Sequence, residues 1–281
     1  MRYALTLILT LAVCFTAQTL ALRAVGGRTV KSESNYFSSL GRIQAGAQGA
    51  PDLMFLGSSI TGRLPDRAQG FAGTANMGCD GGSAVDALRA MDKGILPSAR
   101  GLVIEANTLQ LALAEQPTEI SKAMHGPWFR VGLRVPNLSA YARPAAFLYS
   151  KLLARKIGGF SQAGSIGNLG ATSQPSIPSP IAGADLTPRQ AELIEEIAGI
   201  LGRLRASGTN GTIVWLPPGR RDGSAPPAWI LEMARRSEIP YWDLGQEVAP
   251  GTVTLTDGVH MAAPSAARAT ASLTQKLAAG D

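Results

Sequence analysis

The stretch that most constrains this chain is Asp52–Leu64, DLMFLGSSITGRL. Leu53–Leu56 is a short, wholly apolar run that stops at Gly57-Ser58-Ser59. An apolar run closed by turn residues reads as a buried strand ending at a sheet edge. In an open α/β sheet, ligands bind beyond the carboxyl ends of the strands, where Ser58 and Ser59 are then presented. Ser and Gly are also ordinary turn residues, so this turn alone fixes nothing about function.

The same punctuation recurs along the chain. Thr74–Met77 reads as a second strand, closed by Gly78-Cys79-Asp80-Gly81-Gly82. Ser83–Ile95 has helical spacing, with Val85, Leu88, Met91 and Ile95 near one face and Ser83 or Asp80 as a cap. Leu102–Glu105 is a third strand, followed by Ala106-Asn107-Thr108. A long insertion, 109–186, then interrupts the pattern. It holds helix-prone pieces at Leu109–Ala114 and Ser139–Ile157, the second broken at Pro144, and a Gly/Ser/Pro-rich stretch, Gly158–Gly183. A connection of this length is expected to be a lid or substrate segment.

Alternation resumes at Thr187-Pro188-Arg189-Gln190, a capping box with Pro at the first helical position. Pro188–Arg205 reads as an amphipathic helix, Ile213–Leu216 as strand four, Ala228–Arg236 as a helix and Tyr241–Leu244 as strand five. Ala262–Leu277 is the closing helix, preceded by Thr254-Leu255-Thr256-Asp257-Gly258-Val259-His260. Strands alternating with helices imply an α/β fold around a parallel sheet.

Composition narrows the chemistry. A chain of 281 residues with 45% hydrophobic content has room for one sizeable core. The net charge of +6 serves solubility or attracts anionic polymers and membrane surfaces. No basic run is interleaved with aromatics, so nucleic acid is not an expected partner. Of the two cysteines, Cys14 lies in the N-terminal apolar segment and Cys79 stands alone in the folded part, which leaves no internal disulfide and no Cys-based zinc site. No metal or organic cofactor is implied. His125 and His260 are the only histidines, so histidine chemistry must use one of them.

Residues 1–22 read as a signal peptide or a membrane anchor. Arg2 precedes an uncharged, mostly apolar run of about 19 residues. Thr19-Leu20-Ala21 offers a small-residue cleavage site, while Arg23 and Arg28 suit an uncleaved anchor. A lipid-attachment reading of Leu11-Ala12-Val13-Cys14 is disfavoured by the bulk of Val13 before the cysteine. Either main reading places the folded part, 51–281, outside the cytoplasm, in a periplasm or secreted, with 23–50 as a linker.

Taken in order, Gly57-Ser58-Ser59, Gly78, Asn107 and the Asp257-x-x-His260 pair resemble the blocks of the SGNH (GDSL-like) hydrolase family. The resemblance runs from about Asp52 to Leu277 and leaves out the insertion. It implies a three-layer α/β/α sandwich with a five-stranded parallel sheet. It also implies Ser59 as nucleophile, His260 as general base and Asp257 as the group that orients the histidine. The oxyanion hole would be the backbone N–H groups of Ser59 and Gly78 and the side-chain amide of Asn107.

The residue types suit that chemistry. A serine hydroxyl needs an adjacent base, histidine can take and return the proton, and a neighbouring carboxylate fixes the tautomer. Three departures from the family pattern stand out. Ser58 replaces the Asp of the Gly-Asp-Ser block, as in the envelope proteins that move acyl groups. Glu105 replaces the first Gly of the Gly-x-Asn-Asp block, and Thr108 replaces its final Asp.

Further candidates for substrate contact are Glu105, Arg220, Arg221 and His125. The expected activity is an O-acyl esterase or O-acyltransferase working through an acyl-enzyme on envelope polysaccharide esters. A membrane-bound acyl-transfer partner fits that expectation, as does membrane contact by the N-terminal segment. Two alternatives stay open: a lipase-like or thioesterase-like hydrolase of small or lipid acyl esters, and a non-catalytic scaffold that binds glycan or partner proteins.

Overall fold

A computed structural model describes residues 2–24, 31–114, 116–157, 167–180, 185–220, 224–249 and 251–277. Five parallel strands form one sheet: β1 (Leu53–Leu56), β2 (Thr74–Asn76), β3 (Gly101–Glu105), β4 (Asn210–Val214) and β5 (Tyr241–Trp242). Their spatial order is β2-β1-β3-β4-β5. The strands are apolar on both faces because both faces are covered, as parallel sheets require. Met54, Leu56, Leu102, Ile104 and Ile213 belong to one core, and Leu53, Phe55, Val103, Val214 and Trp242 to the other. Helices α3 (Ala84–Asp92), α7 (Pro188–Ala206) and α8 (Ala228–Arg236) fill the first core, and α10 (Ala263–Leu277) fills the second. The architecture is therefore the α/β/α sandwich expected from the sequence.

Local chemistry sets the helix ends. Ser83 caps α3 by accepting the Val85 N–H, and Asp80 instead meets Arg42. Thr187 and Gln190 form the capping box that starts α7. Strand β4 starts earlier than expected and ends at Val214, because the backbone of Leu216 pairs with the Asn107 side chain and Pro217-Pro218 follows. Strand β5 ends at Trp242, where Asp243 caps the short helix α9 (Leu244–Glu247).

Two regions depart from expectation. The 23–50 linker holds α2 (Asn35–Gly46), capped by Ser34. Its buried face is Ser38, Ser39, Gly41, Ile43, Gln44, Ala45 and Gly46, so it packs by close approach of small residues rather than by bulk. A Cβ on Gly46 would stand 2.9 Å from the Asn76 carbonyl oxygen. The insertion is also more ordered than expected. It contains α4 (Glu119–His125), α5 (Pro127–Arg134) and α6 (Pro144–Ile157), with 3-10 turns at Leu109–Leu113, Pro136–Leu138 and Ala140–Ala142. Of the Gly/Ser/Pro-rich stretch, 158–166 and 181–184 lie outside the described residues. Within 167–180, Ser176 pairs antiparallel with Tyr241 and so covers the free edge of β5.

The N-terminal helix α1 (Arg2–Ala24) is long and apolar enough to cross a membrane, as a signal segment or an anchor.

Replacing Ile43 by Ala separates a core helix from a linker. Loss of this buried side chain should cost about 2–5 kcal/mol in urea denaturation, whereas a linker position would change stability by less than about 0.5 kcal/mol.

Candidate active site

The strand order reverses between β1 and β3, and a crevice forms at such a switch point beyond the carboxyl ends of the strands. The loops after β1 and β3 carry Ser59 and Asn107 to that place.

The turn after β1 is organised by Glu105, the last residue of β3, which is wholly buried. Its Oε2 accepts hydrogen bonds from Ser58 N (2.8 Å), Thr61 N (3.1 Å) and Thr61 Oγ1 (2.6 Å). Its Oε1 accepts from Ser58 Oγ (2.8 Å) and Thr108 Oγ1 (2.9 Å). A buried carboxylate is costly unless it is fully hydrogen-bonded, and these donors supply that. The approach requires glycine at 57, since a Cβ there would lie 2.3 Å from Glu105 Oε2. Asn76 holds the far side of the turn: its Nδ2 donates to the carbonyls of Thr61 (2.8 Å) and Leu64 (2.6 Å). Ser59 is left at the crest, partly exposed.

His260 arrives from a different element. Thr254–Ala262 forms a tight loop before α10, closed by the Leu255–Met261 bridge. Asp257 Oδ1 accepts the N–H groups of Val259 (3.1 Å) and His260 (2.8 Å), with Gly258 at φ 79°. That Asx-type turn brings Asp257 Oδ2 to 2.7 Å from His260 Nδ1. The other ring nitrogen, Nε2, lies 2.8 Å from Ser59 Oγ. The His260 N–H, the imidazole and the Val259 N–H, in that order, hold the Asp257 carboxyl well below the usual carboxylate range. Ser59, His260 and Asp257 thus form a continuous hydrogen-bonded line from a hydroxyl to an ionised carboxylate, the geometry that lets an imidazole accept a hydroxyl proton.

Three donors were expected near Ser59. The Ser59 N–H has no acceptor among the described residues. The Asn107 amide is fixed by a two-way pairing with the Leu216 backbone, Nδ2 to O at 2.9 Å and N to Oδ1 at 2.8 Å, which leaves one Nδ2 hydrogen unspent. Gly78 departs from expectation, because its N–H donates to Asn76 Oδ1 at 2.8 Å. Its glycine has a packing reason instead: a Cβ would fall 2.3 Å from Gly62 N and 2.7 Å from Ser58 O.

The described substrate-contact candidates, Glu105, Arg220 and His125, are each engaged with groups other than Ser59. Glu105 is buried beneath the turn and offers no atom to a ligand. Arg220 is paired with Asp243 at 2.7 Å, with its guanidinium over the Trp215 ring, so its charge is spent inside the protein. Arg221 lies outside the described residues. His125 bonds Ser121 O through Nδ1 and faces Lys93 at the end of α3. That helix runs back from the carboxyl edge of the sheet, so His125 sits at the opposite edge from Ser59. Cys79 is buried, and burial followed by the nearby Asp86 and Asp80 pushes its thiol up to about 12. Among the described residues, no group of three or more His, Cys, Asp or Glu is placed to hold a metal ion.

Asn76, Thr61 and Arg42 were not singled out from sequence. The signal for Asn76 was an amide inside a buried strand. Arg42, on α2, donates to the Gly78 carbonyl and pairs with Asp80 at 3.4 Å, tying α2 to the loop after β2. Comparison with protein-family models, curated proteins and solved structures finds no match to this chain.

Replacement of Glu105 by Gln removes the charge and puts an N–H₂ among donors. We expect a loss of at least about 2 kcal/mol in urea denaturation, since hydrogen bonds to a charged group contribute about 1.5–3 kcal/mol each and the stranded donors stay buried. Unchanged stability would show that the turn does not depend on this carboxylate.

Proposed function

We propose that the protein is an SGNH-type serine enzyme that acts on O-acyl esters through a Ser59 acyl-enzyme. The observation that carries this reading is the Ser59–His260–Asp257 line, with separations of 2.8 and 2.7 Å between residues far apart in the chain. A turn serine has no structural need of a histidine–carboxylate pair, whereas a nucleophile does.

On this reading, Ser59 Oγ attacks the ester carbonyl as His260 Nε2 takes its proton. Asp257 stabilises the imidazolium and keeps the proton on Nδ1. Charge on the tetrahedral oxygen is met by the Ser59 N–H and the unspent Asn107 hydrogen. A donor of this kind is worth about 3–4 kcal/mol of barrier in a measured case. The imidazolium then protonates the departing alcohol, and an acceptor hydroxyl reverses the sequence. Water as acceptor makes an esterase, and a sugar hydroxyl makes an O-acyltransferase. The apolar helix α1 and the charge of +6 favour an extracytoplasmic site and an envelope polysaccharide ester as substrate.

A fluorophosphonate probe should label the purified protein, and Ser59→Ala and His260→Ala should abolish labelling. An unlabelled wild type, or equal labelling of Ser59→Ala, would overturn the assignment.

The pH profile offers a second test. The depressed folded-state value of Asp257 means that its stabilising charge is complete above the ordinary aspartate range and is lost only as pH falls below it. No ionisation of Asp257 is then expected to shape the kcat profile within the ordinary aspartate range, and a limb there would count against the pairing. Asp257→Asn should keep the fold and lower kcat by about 10⁴-fold, by analogy with the measured triad case.

A further inference from the structure

We propose that the surface around the exit of α1, formed by Leu138 and the outward side of α6, lies on the headgroup layer of an anionic phospholipid bilayer that α1 crosses. The proposal rests on reading α1 as a retained anchor, and the structure gives a reason for retention. The last turns of α1 are built into the domain. Gln18 Nε2 donates to the carbonyls of Asn137 (2.8 Å) and Ala142 (2.6 Å), and Asn137 Nδ2 donates to Thr19 Oγ1. Leu22 is only 5% exposed, packed with Ala45, Tyr141 and Ala142. Cleavage after Ala21 would remove Gln18 and Thr19 from these partners. The described part of α1 before Gln18 is exposed along its length, so the helix leaves the domain at one defined point.

The chain around that point is unlike an ordinary soluble surface. Leu138, next to the residue that grips Thr19, is 54% exposed. Two residues after Ala142, α6 begins, and its Leu148 and Leu152 are 61% and 56% exposed at i, i+4 spacing, hence on one side of the helix. The sequence of α6, PAAFLYSKLLARKI, carries Lys151, Arg155 and Lys156 and no acid. Outward leucines on a helix with only cations is the composition of a segment that lies in the interface of an anionic membrane. The docked α1 sets the orientation, and the α6 surface supplies the contact, so the domain is seated on the bilayer rather than tethered above it.

The test uses the full chain with Cys14→Ser, which leaves buried Cys79 as the only native thiol. Leu138→Cys, Leu148→Cys and Leu152→Cys, with Ala206→Cys at the exposed end of α7 as control, are labelled with a polarity-sensitive fluorophore. Each is placed in nanodiscs of phosphatidylcholine and phosphatidylglycerol, with and without brominated acyl chains. Labels at 138, 148 and 152 should shift to the blue and be quenched severalfold more than the label at 206. Equal quenching at all four positions in incorporated protein would overturn the seated surface while leaving the anchor intact. Intact mass of the membrane-bound wild type should include α1, and loss of the residues through Ala21 would overturn the anchor and the proposal together. Neither result bears on labelling of Ser59.

Discussion

A single buried carboxylate holds the site in place. Glu105 ends β3 and reaches sideways under the turn that follows β1, where it accepts two backbone N–H groups and three hydroxyls. A charge in that position is tolerable only while every oxygen lone pair is directed at a donor. The turn can therefore relax very little without stranding the carboxylate. Gly57, Ser58, Thr61 and Thr108 are all explained by this one group, and Ser59 takes its position from them. The serine is placed by what lies beneath it, and His260 has to meet it from the other side.

Similar side-chain-to-backbone ties run along the carboxyl edge of the sheet. Asn76 fastens the end of β2 to Thr61 and Leu64, and Asn107 fastens the end of β3 to Leu216 beyond β4. Ladder hydrogen bonds stop where strands diverge, and these amides carry the pairing one step further. The loops beyond β1 and β3 are thereby held from splaying. The exception is the Asp257–His260 loop, which is fixed internally by its own Asx turn and the Leu255–Met261 bridge. A preformed hydrogen-bonded line can survive on an exposed loop only if that loop is stiff by itself.

The sequence carried the parts of this arrangement that depend on local pattern. Apolar runs closed by Gly, Asn or Pro located all five strands, and the Thr187–Gln190 box located the start of α7. Ser59, Asp257 and His260 were legible only through the ordered blocks that resemble the SGNH pattern, since the turn after β1 taken alone marks no nucleophile. What was not legible depends on partners distant in the chain. Helix α2 hides behind Ser, Gly and Ala, whose burial is a matter of close approach and leaves little hydrophobic pattern. Nothing next to Gly78 announces that Asn76 will take its N–H. Nothing next to Arg220 announces that Asp243 will neutralise it. Glu105 was singled out for the right reason, as an out-of-place carboxylate, but its burial makes it part of the scaffold rather than a substrate contact.

The three departures from the SGNH pattern turn out to be one cluster. Ser58 stands where that pattern has an aspartate, Glu105 where it has a glycine, and Thr108 where it has a second aspartate. In the structure, Ser58 Oγ and Thr108 Oγ1 both donate to Glu105 Oε1. Where that pattern has two acids this chain has hydroxyls, and where it has a glycine this chain has the acid. Hydroxyls can donate to a carboxylate, whereas two aspartates facing a glutamate would repel it in a buried site. A carboxylate on β3 is therefore compatible with Ser58 and Thr108 and incompatible with the residues they replace. Each substitution on its own weakens the proposed family assignment. Together they form one hydrogen-bond network beneath Ser59, so the three departures count as a single change rather than as three.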